Sequence, residues 1–257
     1  MSKRALITGA SSGIGEALAR ELGRRGWSLA LLARRHVLME ALAREIGNAV
    51  AFPCDVSDFT SVTDSVRKAE AALGGPFDLV VANAGIGAPT HASKFKANEA
   101  EQMVRVNVLG MMYLFDAVVP SMIERRGGRF AGMASLAGLR GLPTSSAYSA
   151  TKAAMQAFLE SSRVELAPYG VGVTTINPGF VATPMTERNR FKMPFLVNVN
   201  KAAVIIADGL ERGARVVQFP WPMSLLMRFT RLLPNAIYDR VMIPYGRRKS
   251  DPSKVKR

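Results

Sequence analysis

The sequence predicts a doubly wound α/β fold of the Rossmann type, a parallel sheet of about seven strands with helices on both faces. Three observations predict it. Short apolar runs alternate with stretches of helical length as far as residue 219, and a glycine-rich turn separates the first run from the first helix. No fixed-period repeat or low-complexity linker divides the chain before about residue 220. Parallel strands require crossovers, which are right-handed, and the intervening helices supply them.

Taken in order, Ala-Leu-Ile-Thr at 5–8 forms the first strand, and a helix is predicted over 14–25. Strands at 28–33, 49–54 and 79–82 alternate with helices at 37–46 and 60–73, several of which stop at Gly or Pro. A long helix over 99–122 leads to a strand at 129–134, then a helix at 147–167 and a strand at 171–176. A last helix at 201–212 precedes a strand at 215–219. Ligands in such sheets bind beyond the carboxyl ends of the strands, so the chemistry is expected just after each one.

Composition narrows the function classes. Hydrophobic residues make up 48% of the 257, enough for one sizeable core and too many for a disordered chain. Cys54 is the single cysteine, and His36 and His91 stand outside any metal-ligand spacing, so neither an internal disulfide nor a metal centre is expected. The first strand follows Met1 too closely for a signal peptide, and no run of 18 apolar residues is free of charge. A cytoplasmic location is the expectation.

The net charge is +14, and residues 221–257 carry nine Lys/Arg against Asp239 and Asp251, a net of +7. The chain therefore divides into a Rossmann-type domain over 1–219 and a basic, partly amphipathic extension over 220–257. Within the extension, Trp221 through Leu233 is apolar with basic punctuation, as in an interfacial helix. Peripheral membrane contact, docking on its own domain and docking on a second subunit all remain open. No recognition module accompanies the basic residues, so no specific nucleic-acid partner is expected.

The turn Thr8-Gly9-Ala10-Ser11-Ser12-Gly13-Ile14-Gly15 lies between strand and helix. Its glycines allow a pyrophosphate to approach backbone N–H groups at a positive helix terminus, although the spacing differs from G-x-G-x-x-G. An acidic residue at the end of the second strand would bond the ribose of NAD. Here Arg34 and Arg35 stand instead, and guanidinium groups suit the 2′-phosphate of NADP(H).

Tyr148 and Lys152 are four apart on a predicted helix and project from one face. A cation beside a phenol favours phenolate, which brings the group toward proton exchange with a substrate. Ser135, at a strand end, can donate a hydrogen bond to a substrate oxygen as charge develops there.

Taken together, Thr8-Gly9-x-x-x-Gly13-x-Gly15, Asn83-Ala84-Gly85, Asn107, Ser135, Tyr148-x-x-x-Lys152 and Pro178-Gly179 resemble the short-chain dehydrogenase/reductase family, over about residues 3 to 219. The resemblance implies an NADP-preferring carbonyl reductase. It implies that Lys152 also holds the nicotinamide ribose and that Asn107 anchors a water continuing a proton relay. It further places Asp55 and Val56 at the adenine and Asn83, Ala84 and Gly85 along the cofactor. Pro178 and Gly179 shape the nicotinamide pocket, with the Val181 backbone and Thr183 side chain toward the carboxamide. A homo-oligomer is also implied.

The resemblance implies an NAD(P)-binding catalytic domain over 1–219 with the family's mobile lid at about 183–200. Phe180, Met185, Phe191, Met193 and Phe195, with Leu136 and Leu142, could either line an apolar pocket or pack the lid onto the core. The expected function is interconversion of a small carbonyl and alcohol, the substrate being apolar, with Tyr148 as general acid/base. The alternative is a catalytically silent nucleotide-binding scaffold or sensor, which would have no need of an intact Ser135/Tyr148/Lys152 set.

Overall fold

β1 (Arg4–Thr8), β2 (Ser28–Ala33), β3 (Ala49–Pro53) and β4 (Leu79–Ala82) form from apolar runs, with α1 (Gly13–Arg24), α2 (His36–Ile46) and α3 (Phe59–Leu73) between them. The computed structural model describes residues 3–187 and 192–250. Every residue of β2 and β4 is buried, as a strand covered on both faces requires. The chain continues through α4 (Ala97–Met103), α5 (Gly110–Glu124), β5 (Arg129–Met133), α6 (Ser146–Leu166) and β6 (Gly172–Pro178). It ends with α7 (Pro184–Glu187), α8 (Val199–Glu211), β7 (Val216–Phe219), α9 (Trp221–Leu232) and α10 (Asn235–Ser250).

The seven strands are all parallel, in the order β3-β2-β1-β4-β5-β6-β7. This is the Rossmann-like fold that the strand and helix alternation predicts. The chain moves outward from β1 to β3, then returns to add β4 on the other side of β1. That reversal opens a crevice above the carboxyl ends of β1 and β4.

Two apolar layers hold the sheet. On one face Leu18 and Leu22 of α1, Met39 of α2 and Ile206 of α8 pack on Ile7, Leu29 and Leu31. On the other, Val62 and Val66 of α3, Leu114 and Val118 of α5 and Met155 and Leu159 of α6 pack on Leu6, Val80 and Phe130. Removing one fully buried leucine from such a layer costs about 2–5 kcal/mol. Arg25 bridges α1 to α8 through Asp208 and Glu211, each at 2.7 Å or less.

The structure departs from expectation in the long helix. Instead of one helix over 99–122, α4 and α5 are joined by a π-helical turn, Val104–Leu109. Such a turn accommodates one extra residue, and here it carries Asn107 inward. At its end Gly110 meets β3's following loop so closely that a Cβ would lie 2.9 Å from the Val56 carbonyl oxygen. By length and hydropathy the run Ala97–Glu124 is long and apolar enough to cross a bilayer, but it contains Asp116, and Met111, Leu114, Val118 and Met122 are buried against the sheet.

The extent of β6 and the helix α10 were not expected. β6 runs to Pro178, because Asn177 and Pro178 pair with Gln218 and Phe219 of β7. The helix α10 contains Pro244 and continues through it. The helical reading of 221–233 agrees with α9, which enters from Phe219-Pro220.

Candidate active site

At the reversal point the end of β1 is tied to the end of β4. The Thr8 hydroxyl accepts hydrogen bonds from the Asn83 and Ala84 N–H groups, both at 3.1 Å. The Asn83 amide donates to the Thr8 carbonyl at 2.9 Å and the Gly9 carbonyl at 3.3 Å. Gly9 has φ +67°, and a Cβ there would stand 2.8 Å from the Ala84 Cα. Both the left-handed backbone and the close approach require glycine.

Above this junction lies a cleft of about 560 Å³. Gly9, Ser11, Ser12, Gly13 and Ile14 line it beside Arg34, Arg35, Asp55 and Val56. Asn83, Ala84 and Gly85 form its middle, and Ser135, Tyr148, Lys152, Pro178, Gly179, Val181 and Thr183 its far part. Two expected residues stay outside the lining. Gly15 lies beneath it, where a Cβ would meet the Asn83 amide nitrogen at 2.4 Å and the Gly9 carbonyl at 2.5 Å, so its place is set by packing.

Asn107 is the other. It is wholly buried, accepting from the Ile86 N–H at 2.8 Å and donating to the Ile86 carbonyl at 2.9 Å and the Thr151 hydroxyl at 3.1 Å. Thr151 in turn donates to the Tyr148 carbonyl at 2.8 Å. Asn107 thus joins the loop after β4 to the helix that carries Tyr148. Its side chain is engaged in positioning and does not reach the cleft.

Ser135 caps a short turn by accepting from the Ala137 N–H at 3.1 Å, and it stands within hydrogen-bonding range of Tyr148. Lys152 is 4% exposed and donates to the Met133 carbonyl at 2.7 Å. Its Nζ lies 5.7 Å from the centre of the Tyr148 ring. Burial pushes Lys152 down to about 7. Burial also raises the Tyr148 phenol, with the Ser135 hydrogen bond acting in the opposite direction.

That direction runs against the expected electrostatics. The sequence reading has the Lys152 ammonium lowering the phenol, whereas desolvation penalises the charged form of each group, raising Tyr148 and lowering Lys152.

At the other end, Arg35 donates to the Ser11 hydroxyl at 3.0 Å and the Ser12 hydroxyl at 2.6 Å, folding over the glycine turn. Arg34 is exposed at the rim. Burial opposes charge on Asp55, but the Ser57 hydroxyl and N–H, with Arg34 nearby, hold its carboxyl below the ordinary range. Cys54 also lines the cleft, where burial pushes its thiol up and away from thiolate chemistry.

Sequence reasoning missed the residues that brace the far end. The Gln156 amide donates to the Ser135 carbonyl at 2.7 Å and to Asn177 Oδ1 at 2.9 Å. A signal existed: Tyr148, Lys152 and Gln156 recur every four residues on one helix face. Ile86, Val106, Met133, Ala134, Pro184, Met185 and Thr186 also line the cleft.

Beyond Ser135, Leu136 packs with Met223 and Met227 of α9, and Leu139, Leu142 and Phe180 join them. Of the residues expected near a substrate, Leu136, Leu142 and Phe180 therefore meet at one apolar wall, to which the extension contributes the two methionines. Met185 reaches the cleft, whereas Phe195 is 55% exposed. The base of the expected lid is pinned where the Ala182 N–H donates to the Val197 carbonyl and the Val197 N–H to the Phe180 carbonyl, both at 2.9 Å. Phe191 and the rest of 188–191 lie outside the described residues, as do 251–257 of the basic tail.

The cleft fits a dinucleotide on structural grounds. Glycine at 9, 13 and 85 leaves space that a side chain would fill, since a Cβ on Gly85 would stand 3.5 Å from Lys152 Nζ and one on Gly13 would face Thr183 at 3.4 Å. Backbone N–H groups at the start of α1 and the serine hydroxyls supply donors for a pyrophosphate.

Comparison with known proteins agrees. The family model for short chain dehydrogenase matches residues 3–193. An uncharacterized oxidoreductase of Myxococcus xanthus is 41% identical over 241 residues, covering 92% of this chain and 95% of that one. An alcohol dehydrogenase from Thermococcus sibiricus, solved with 5-hydroxy-NADP, superposes with a TM-score of 0.77 at 30% identity, covering 85% of this chain and 95% of its own. A 3-ketoacyl-(acyl-carrier-protein) reductase from Brucella melitensis, solved with NADH, gives a TM-score of 0.80 at 28% identity, covering 86% and 98%.

Proposed function

The chain belongs to the short-chain dehydrogenase/reductase family and is a nicotinamide-dependent oxidoreductase, and on that premise we propose that it interconverts a carbonyl and an alcohol using NADP(H). The observation that carries this reading is the meeting of Ser135 and Tyr148 in the same cleft whose opposite rim bears Arg34. A bound nicotinamide would supply or accept the hydride at the substrate carbon. Tyr148 gives the carbonyl oxygen its proton, and Ser135 donates a hydrogen bond to that oxygen as negative charge builds on it. Lys152, at about 7, can hold or release a proton near neutral pH on the same wall. Asn107 and Gln156 act as positioning residues, the first through Thr151 and the second through the Ser135 carbonyl.

NADP(H) is favoured over NAD(H) because the turn after β2 offers two guanidinium groups and no carboxylate. Arg35 already holds Ser11 and Ser12, so Arg34 is assigned the 2′-phosphate. The apolar wall of Leu136, Phe180, Met223 and Met227 supports an apolar substrate. The test is an NADPH-oxidation screen over ketones, aldehydes and 3-oxoacyl thioesters, with NADH in parallel. Turnover with NADPH at lower KM than NADH is expected; tighter use of NADH would overturn the cofactor assignment.

A further inference from the structure

The helix α9 has two apolar faces. Its inner face buries Met223, Ser224 and Met227 against the wall beyond Ser135. Its outer face presents Trp221, Leu225, Phe229 and Leu232, spaced by four, four and three residues so that they form one stripe. Trp221 is 76% exposed and Leu232 81%. Arg228 and Arg231, both exposed, flank the stripe. No Asp or Glu occurs between Glu211 and Asp239.

We propose that this outer face of α9 docks on an anionic lipid bilayer. The charge decides between that occupant and a second copy of the chain. A two-fold contact through α9 would set the same patch against itself. Residues 221–257 carry nine cations against two anions, so such a pair would bring like charge together at the rim of a dry contact. An anionic headgroup layer reverses the sign, attracting Arg228 and Arg231 while the stripe enters the acyl boundary. A tryptophan at the end of the stripe suits the same boundary, with its ring in the apolar layer and its N–H among headgroups.

The stripe residues do not contribute to the core, so replacing them leaves the fold and the cleft intact. Full-length protein is mixed with phosphatidylcholine vesicles, with or without phosphatidylglycerol, and separated by flotation. Protein is expected to float with the anionic vesicles and to be released by salt. The Leu225→Ser/Phe229→Ser double variant should lose at least about tenfold in partitioning. Arg228→Gln and Arg231→Gln should each lose about fivefold on anionic vesicles and nothing on neutral ones. Thermal melting and NADPH binding of each variant should match the parent, which separates lost docking from lost folding. Recovery of the parent in the soluble fraction with both vesicle types would overturn the proposal. So would a parent that sediments as an oligomer and becomes monomeric in Leu225→Ser/Phe229→Ser, since a second copy would then be the occupant.

Discussion

Arg34 follows β2 and stands exposed at the rim, whereas Lys152 faces β5, three strands along the sheet, and is 4% exposed. Both line one cleft. The exposed guanidinium is open to a ligand at the rim, and in the proposed reading it takes the 2′-phosphate. Burial lowers the amine to about 7, and in the same reading it stands beside the proton donor. On that reading the depth at which each is set gives two cationic side chains different uses.

The contrast breaks most completely at Tyr148. Tyr148→Phe removes the proton donor while keeping the ring, and turnover should fall by about 10²–10⁴ with NADPH affinity within a few-fold. Steady-state kinetics alongside fluorescence titration of the cofactor would check both halves; undiminished kcat would remove Tyr148 from its role.

Lys152 gives the next effect, read as stability against pH. Its folded value is lowered to about 7 from 10.5, so between those values the unfolded chain binds more protons and stability rises with pH. Tyr148 is raised above 10.0, so above that value the unfolded chain loses its proton first and stability falls. The melting temperature should therefore climb from pH 7 toward 9, flatten where the raised Cys54 thiol opposes the climb, and turn down above 10. In Lys152→Met the climb should vanish, and a variant that kept the slope would show that another group causes it.

At the binding end, Arg34→Ala should weaken NADPH by about tenfold to a hundredfold, the worth of a charge-assisted hydrogen bond, while leaving NADH nearly unchanged. Equal loss for both cofactors would mean that Arg34 shapes the rim without touching a 2′-phosphate. The smallest effect is expected between the two ends. Gly15→Ala forces a methyl against Asn83 and the Gly9 carbonyl, and a destabilisation of about 1–3 kcal/mol in chemical denaturation is expected, with weaker binding of either cofactor.

How much of this was legible in the sequence follows the range of the interactions. The seven strands and the glycine turn were readable because apolar periodicity and backbone freedom are local properties. Most expected cleft residues converge for a related reason: each directly follows a strand, and a parallel sheet brings strand ends together. Gly15, expected at the cofactor, and Asn107, expected to anchor a relay water, both lie behind the cleft lining, where their partners Asn83, Ile86 and Thr151 come from 21 to 68 positions away in the chain. The π-helical turn escaped notice because the apolar pattern runs through it unbroken, while the partners of the Asn107 it carries are distant in the chain.

By itself, then, the sequence determined the sheet, its parallel sense and the set of residues that meet above it. Local pattern is sufficient for these, since side-chain spacing and turn chemistry act over a few residues. Tertiary structure decided the burial of Tyr148 and Lys152, the bracing by Gln156 and Asn177, and the two-faced placement of α9. Burial is a property of everything packed around a group, and it raises the phenol and lowers the amine, a direction that their spacing of one helical turn does not contain.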